Sequence, residues 1–199
     1  MHNITEKRTP TRPGRPAGGT LGPLAVGVRY SKGVLRMNRA NRVMALWQRL
    51  SKIPTGKWWF ARLLCFKAPY FATIRPTFKE LRPGYCEVHI KKRRAVLNHI
   101  GTVHAIAMCN MAELAGGSMT DISIPATHRW IPKGMTVEYL KRAETDLRAV
   151  AELNPIPQFG AATELPVTIN LMDMNGQEVF RAVITMWVSP KKDMVPQPT

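Results

Sequence analysis

The stretch Asn98–Gly117, NHIGTVHAIAMCNMAELAGG, decides the fold. Its later part is apolar and built from small residues, so it reads as a helix that wants burial, over roughly Val103 to Gly117. Gly116-Gly117 is expected to end that helix, as glycine commonly does just past a C-terminus. Two features do not fit a plain core helix. A single carboxylate, Glu113, stands inside the apolar run, and the entrance carries Asn98, His99, Gly101 and His104. Burying an acid is costly without a partner or a purpose.

Outward from this helix, the chain changes character twice. Residues 1–33 are rich in Pro, Gly, Thr and Arg without apolar periodicity, and read as a mobile basic tail. Residues 34–66 are expected to form a helical extension. There VLRMNRANRVMALWQRLSKI interleaves apolar residues with Arg and Lys, and GKWWF sets two Trp and a Phe beside cations. That aromatic group suits either packing of a short helix or a lipid headgroup layer. Residues 67–190 form the main domain and 191–199 a polar tail.

Within the main domain, YFATIRPTFKEL and YCEVHIKKRRAVL read as strands joined by Arg82-Pro83-Gly84. In the second, Cys86, Val88 and Ile90 alternate with Glu87, His89 and Lys91, a period of two. TVEYLKRA, DLRAVAEL, LPVTINLMD and QEVFRAVITMWVSP follow the helix. Met174-Asn175-Gly176 joins the last two, and Asn-Gly between such runs is a strong hairpin signal. One long helix is left to cover about six strands. A mainly antiparallel sheet wrapped around it, in an α+β fold, satisfies the need of each layer to bury a face. Ala105, Ala107, Ala112 and Ala115 would let the sheet approach closely.

Composition narrows the function classes. The 199 residues carry a net charge of +16. The charge is uneven: residues 1–94 hold 21 Lys/Arg and 3 Asp/Glu, the remainder 8 and 10. A polyanionic partner for the basic half follows, either a phosphate-bearing ligand or an anionic membrane surface, with a merely solubilising surface as the alternative. Nucleic acid is disfavoured as a partner because no binding motif is found. Three scattered cysteines without CxxC spacing point to a reducing compartment and against a disulfide framework or a metal site. No apolar run approaches the roughly 20 residues of a spanning helix. A cytoplasmic protein, at most peripheral to a membrane, is expected. No HExxH, GxSxG or phosphate-loop motif occurs, and no metal or cofactor is expected.

The strand order and the series Asn98, Gly101, His104, Glu113 resemble the hotdog-fold acyl-CoA thioesterase superfamily, in particular the phenylacetate-degradation type and a little-characterised thioesterase-like branch. The resemblance covers about Gly56 to Pro190 and departs at Ala105-Ile106, where many members have Gly-Gly. It implies an antiparallel sheet wrapped around a central helix. It also implies a homodimer or homotetramer with the acyl site at the subunit interface, and hydrolysis of an acyl-CoA or acyl-carrier-protein thioester.

In this reading Glu113 is the general base or the nucleophile, and the backbone N–H of Ala105 is the oxyanion donor. A helix N-terminus with its orphan N–H groups suits that second role whatever the side chain. Asn98 would orient the water or the thioester carbonyl. His104 would bond the loop or the substrate, and Gly101 would allow the tight turn into the helix. His99 and His128 are weaker candidates. Lys91–Arg94, Arg129, Lys133, Lys141 and Arg142 could meet phosphates. Two other readings stand beside this one: a non-catalytic acyl-CoA or lipid-binding hotdog module, and a hotdog dehydratase or hydratase.

Overall fold

The computed structural model describes residues 39–191. The expected tail, the first residues of the expected helical extension and residues 192–199 lie outside the described residues. Two helices, α1 (Arg39–Leu50) and α2 (Gly56–Lys67), precede a 3-10 helix at Pro69–Ile74. Strands β1 (Thr77–Arg82) and β2 (Tyr85–Ile90) follow, then helix α3 (Ala105–Ser123). The remaining strands are β3 (His128–Tyr139), β4 (Leu147–Glu152), β5 (Thr163–Asp173) and β6 (Glu178–Pro190).

The six strands form one antiparallel sheet in the order β1-β2-β4-β5-β6-β3. Helix α3 packs against this sheet and touches all six strands. The alternation read in β2 holds: Cys86, Val88 and Ile90 are buried, while Glu87 and His89 are half-buried on the other face. Leu147, Ala149 and Ala151 continue that inner face in β4, and Val167, Ile169 and Leu171 in β5. Against them α3 places Met108, Met111, Ala112, Ala115 and Met119. Each fully buried Met, Leu, Ile or Val among them contributes about 1.5–3 kcal/mol of transfer free energy, and each alanine methyl less than about 1 kcal/mol. The helix is therefore held by tertiary burial more than by its own propensity.

Three expectations are corrected. Gly116-Gly117 does not end the helix, which runs on to Ser123. Both glycines are buried inside it, where side chains of the sheet approach closely. A Cβ on Gly116 would lie 3.0 Å from the Ile169 side chain, and one on Gly117 would lie 2.9 Å from the Trp130 ring. Tyr70–Ile74 is a 3-10 helix and not the start of a strand, and Pro69 opens it with its fixed φ. Strand β3 begins eight residues before the expected TVEYLKRA. Pro132 and Gly134 disguise its first half, and a register shift falls between them. An edge strand tolerates both, because one side of its ladder has no partner to lose.

The hairpin at Met174-Asn175-Gly176 forms as the sequence indicates, with Gly176 at φ 80°. Helices α1 and α2 dock on β1 through an aromatic stack. Trp47 meets Phe60 edge-on at 5.1 Å between centroids, and Phe60 meets Phe78 at 5.1 Å. Such edge-on pairs add about 0.5–1.5 kcal/mol each beyond their buried area.

Candidate active site

The polar entrance is a closed turn. Leu97 and Val103 form an antiparallel bridge, and the Asn98 N–H donates to Thr102 O at 2.9 Å. Gly101 adopts φ 82°, a conformation that L side chains rarely take, so glycine is required by the backbone there. The Asn98 side chain holds the turn from inside. Its Oδ1 accepts the N–H groups of Ile100 and Thr102, each at 3.1 Å, and its Nδ2 donates to Thr102 Oγ1 at 2.8 Å. Asn98 therefore acts on the loop, in the manner of an Asx turn, and its carbonyl is occupied by backbone donors.

His104 is the N-cap of α3. Its backbone is extended, and its ring Nδ1 accepts the Ile106 N–H at 3.0 Å. An accepting Nδ1 puts the neutral ring's proton on Nε2, on an exposed residue. The cap satisfies one of the four orphan donors of the first turn. The N–H of Ala105 has no acceptor among the described residues. The helix thus opens with an unpaired donor beside a capped one, at the positive end of its dipole.

Glu113 is half-buried on α3. Among the described residues its carboxylate makes no hydrogen bond and no ion pair. Ile106, Cys109 and Glu113 are spaced to share one helix face. That face looks toward the edge strand: Cys109 Sγ lies 3.6 Å from the Tyr139 hydroxyl, which itself is raised above its ordinary pKa chiefly by this contact. Among the described residues strand β3 has only β6 as a neighbour, and most of its residues are exposed, among them Ile131, Met135 and Tyr139.

Around the corner of the same turn of α3 is a cavity of about 180 Å³. His104, Ile106, Ala107 and Asn110 line it from the helix, and Tyr70, Thr73 and Ile74 from the 3-10 helix. Asn110 is a functional candidate that the sequence reading missed. It is buried, its Nδ2 donates to Thr73 Oγ1 at 3.1 Å and to Tyr70 O at 3.3 Å, and its Oδ1 has no partner among the described residues. No local motif announces it, because its partners lie 37 and 40 residues away in sequence.

The remaining candidates separate by their partners. His128 is buried between Thr127 Oγ1 and Gly160 O, a structural setting, and His99 is exposed on the turn. Lys91 is paired with Asp146 and Lys133 with Glu164. Lys92 is half-buried, and its backbone N–H joins Lys91 on Asp146. Arg129 reaches Ser189 Oγ, and Arg93 donates to Thr73 O. Burial, with Arg75 nearby, pulls the Arg93 guanidinium below its ordinary pKa. Arg94, Lys141 and Arg142 are exposed and their side chains are unpaired among the described residues. The last two adjoin the start of α3, since the Val103 N–H donates to Ala143 O at 2.9 Å.

A six-stranded antiparallel sheet in this order, packed on one long helix, is the hotdog fold of the thioesterase superfamily. Solved structures agree. A structural-genomics target, APC5556, is 52% identical, covers 76% of this chain and 99% of its own, and superposes with a TM-score of 0.67. A Pseudomonas aeruginosa protein of unknown function, described as a probable thioesterase, is 25% identical over 70% of this chain and 97% of its own, with a TM-score of 0.62. A thioesterase family protein from Silicibacter pomeroyi shares the fold at 19% identity over 66% of this chain and 96% of its own, TM-score 0.56. No curated protein matches the chain. The chain belongs to the family described as Domain of unknown function (DUF4442), whose model matches residues 56–188.

Proposed function

We propose that this protein hydrolyses an acyl thioester of CoA or of an acyl-carrier protein, with Glu113 as general base and the Ala105 N–H as oxyanion donor. The observation that carries the proposal is the unpaired carboxylate of Glu113 on the same helix as the unpaired N–H of Ala105. Both groups lack partners among the described residues, and a thioester with its attacking water supplies one to each.

Helix geometry favours the water. Ala105 and Glu113 are eight residues apart, about 12 Å along the axis. Helical side chains lean toward the N-terminus, which brings the carboxylate a few Å closer. An N–H···O contact of about 2.9 Å, a carbonyl of about 1.2 Å, a near-attack gap of about 3 Å and a water–carboxylate bond of about 2.7 Å add to about 10 Å. Direct attack by the carboxylate would need a span nearer 7 Å, so Glu113 acts through water as a base. Gly101 and Asn98 set the loop, and His104 caps the helix so that the oxyanion donor points outward. Arg94, Lys141 and Arg142 hold the phosphates of the carrier, and the cavity beside Asn110 receives part of the acyl group.

The long open edge of β3 pairs with a second copy. An exposed twelve-residue edge otherwise invites uncontrolled pairing. The second copy closes the face that carries Glu113, Cys109 and Tyr139, which makes the protein a homodimer or a higher homo-oligomer with its site at the seam.

The test is turnover of an acyl-CoA panel of graded chain length by the full chain, read as thiol release, with enoyl and 3-hydroxyacyl thioesters alongside. Free thiol from saturated acyl-CoAs supports hydrolysis. Saturable binding without thiol release would establish the non-catalytic module, and interconversion of enoyl and hydroxyacyl thioesters would establish the hydratase.

A further inference from the structure

Helix α2 buries one side and exposes another that resembles no ordinary protein surface. Gly56, Phe60, Ala61 and Cys65 face the core. Trp58, Trp59, Leu63 and Phe66 face outward, and Phe66 is 87% exposed. Their spacing of i, i+1, i+5 and i+8 gathers them on one face about 12 Å long. The two indoles pack edge to face at 4.8 Å, and the Arg62 guanidinium stands over Trp58 at 5.7 Å. Isolated exposed apolar residues are ordinary, whereas a contiguous aromatic face marks an interaction surface.

The charge along this part of the chain has one sign. Arg62 stands on the face itself, Arg49, Lys52, Lys67 and Arg75 flank it in sequence, and Lys57 turns inward onto Lys79 O and the Trp47 ring; no Asp or Glu occurs anywhere between Glu6 and Glu80. Aromatic rings at headgroup level, aliphatic tips below them and a cationic surround are the chemistry of an anionic bilayer surface. A nucleic acid would use the cations and could stack on the indoles, but it offers nothing to Leu63. A second copy of this chain would bring its own excess of positive charge to the contact.

We propose that α2 is an interfacial helix that seats this protein on an anionic lipid surface through Trp58, Trp59, Leu63 and Phe66. The position of the helix gives the contact a use, which rests on the function proposed above. Four residues beyond Phe66, Tyr70 is 64% exposed and lines the cavity at the start of α3. An acyl chain leaving the bilayer along α2 meets that cavity first. The protein then draws thioesters with membrane-partitioned acyl chains.

Co-sedimentation of the full chain with phosphatidylglycerol/phosphatidylcholine vesicles tests the surface. Binding is expected to anionic vesicles, to be at least tenfold weaker to pure phosphatidylcholine, and to fall at least tenfold in the double variants Trp59→Ser/Phe66→Ser and Trp58→Ser/Leu63→Ser. Retained melting temperature shows that these variants fold. Hydrolysis of a short, water-soluble acyl-CoA by them is expected to match wild type, so a failure of the surface and a failure of the active-site reading give different results.

Three outcomes would overturn the proposal. One is vesicle binding that both variants retain in full. The second is a change of oligomeric size in the variants with no change in vesicle binding, which assigns the face to a second copy. The third is single-stranded RNA binding tighter than vesicles and equally weakened by the variants.

Discussion

Replacing His104 separates its structural part from a chemical one. The ring Nδ1 accepts the Ile106 N–H at 3.0 Å, an N-cap bond. Losing such a cap to alanine costs about 1 kcal/mol. In a chain of this size that lowers the melting temperature by about 2–4 °C. His104→Asn restores an acceptor in the cap position and is expected to recover most of that loss.

His104→Asp caps as well and suits the helix dipole, but it brings a negative charge next to the site proposed for the oxyanion. Two like charges about 5 Å apart at an effective dielectric near 20 repel by about 3 kcal/mol, a rate loss of about 100-fold. The assay pairs thermal melting with kcat/KM for acyl-CoA hydrolysis. The expected order is Ala least stable, with Asn and Asp near wild type in stability, and Asp much slower than Asn. Equal rates for Asn and Asp would refute an oxyanion at this helix end. A rate for Asn as poor as for Ala, with stability restored, would show that Nε2 itself serves the substrate.

Other expectations follow from packing and electrostatics. Gly117→Val forces atoms into the Trp130 ring, which is tied through Nε1 to Asp121 Oδ1 at 3.1 Å, so overpacking outweighs the gain in helix propensity; a net loss of about 1–3 kcal/mol is expected in chemical denaturation, whereas Gly160→Ala, whose Cβ meets open space, is expected to be neutral. Burial alone would raise the Glu87 carboxyl, but hydrogen bonds from His89 at 2.6 Å and Tyr85 at 3.0 Å outweigh it and hold it below its ordinary 4.5. A lowered carboxylate stabilises the fold above its unfolded pKa, and that contribution is lost as pH falls through the folded value. Wild type is therefore expected to exceed Glu87→Gln in melting temperature at pH 7, with the gap closing below about pH 4.

The sequence carried the topology wherever local signals and tertiary demands agreed. The alternation at Cys86, Val88 and Ile90 and the Asn175-Gly176 turn are of that kind, as is the single apolar helix carrying an acid. It misled where one residue type has two uses. Gly116-Gly117 reads as a helix stop because glycine commonly ends helices, yet here glycine is kept for the closeness of Ile169 and Trp130. Pro132 and Gly134 hid half of β3 because proline argues against a strand, and only the sheet order reveals that this strand is an edge.

The spacing Asn98, Gly101, His104 was legible as a helix entrance because it is local. Asn98 reads differently in three dimensions, since its carbonyl is occupied by Ile100 and Thr102 N–H groups that any Asx turn would engage. Asn110 and the cavity it shares with Tyr70 and Thr73 were not legible, because they exist only after distant segments meet.

The central claim is that the unpaired carboxylate on α3 activates water at a thioester. Glu113→Gln keeps the size and polarity of the side chain and removes only its basicity. The decisive measurement is kcat for acyl-CoA hydrolysis in this variant, with substrate binding and melting temperature measured on the same preparation. A fall of about 100- to 10,000-fold in kcat with binding and stability intact is the expected result. Hydrolysis at the wild-type rate by a folded, substrate-binding Glu113→Gln protein would contradict it.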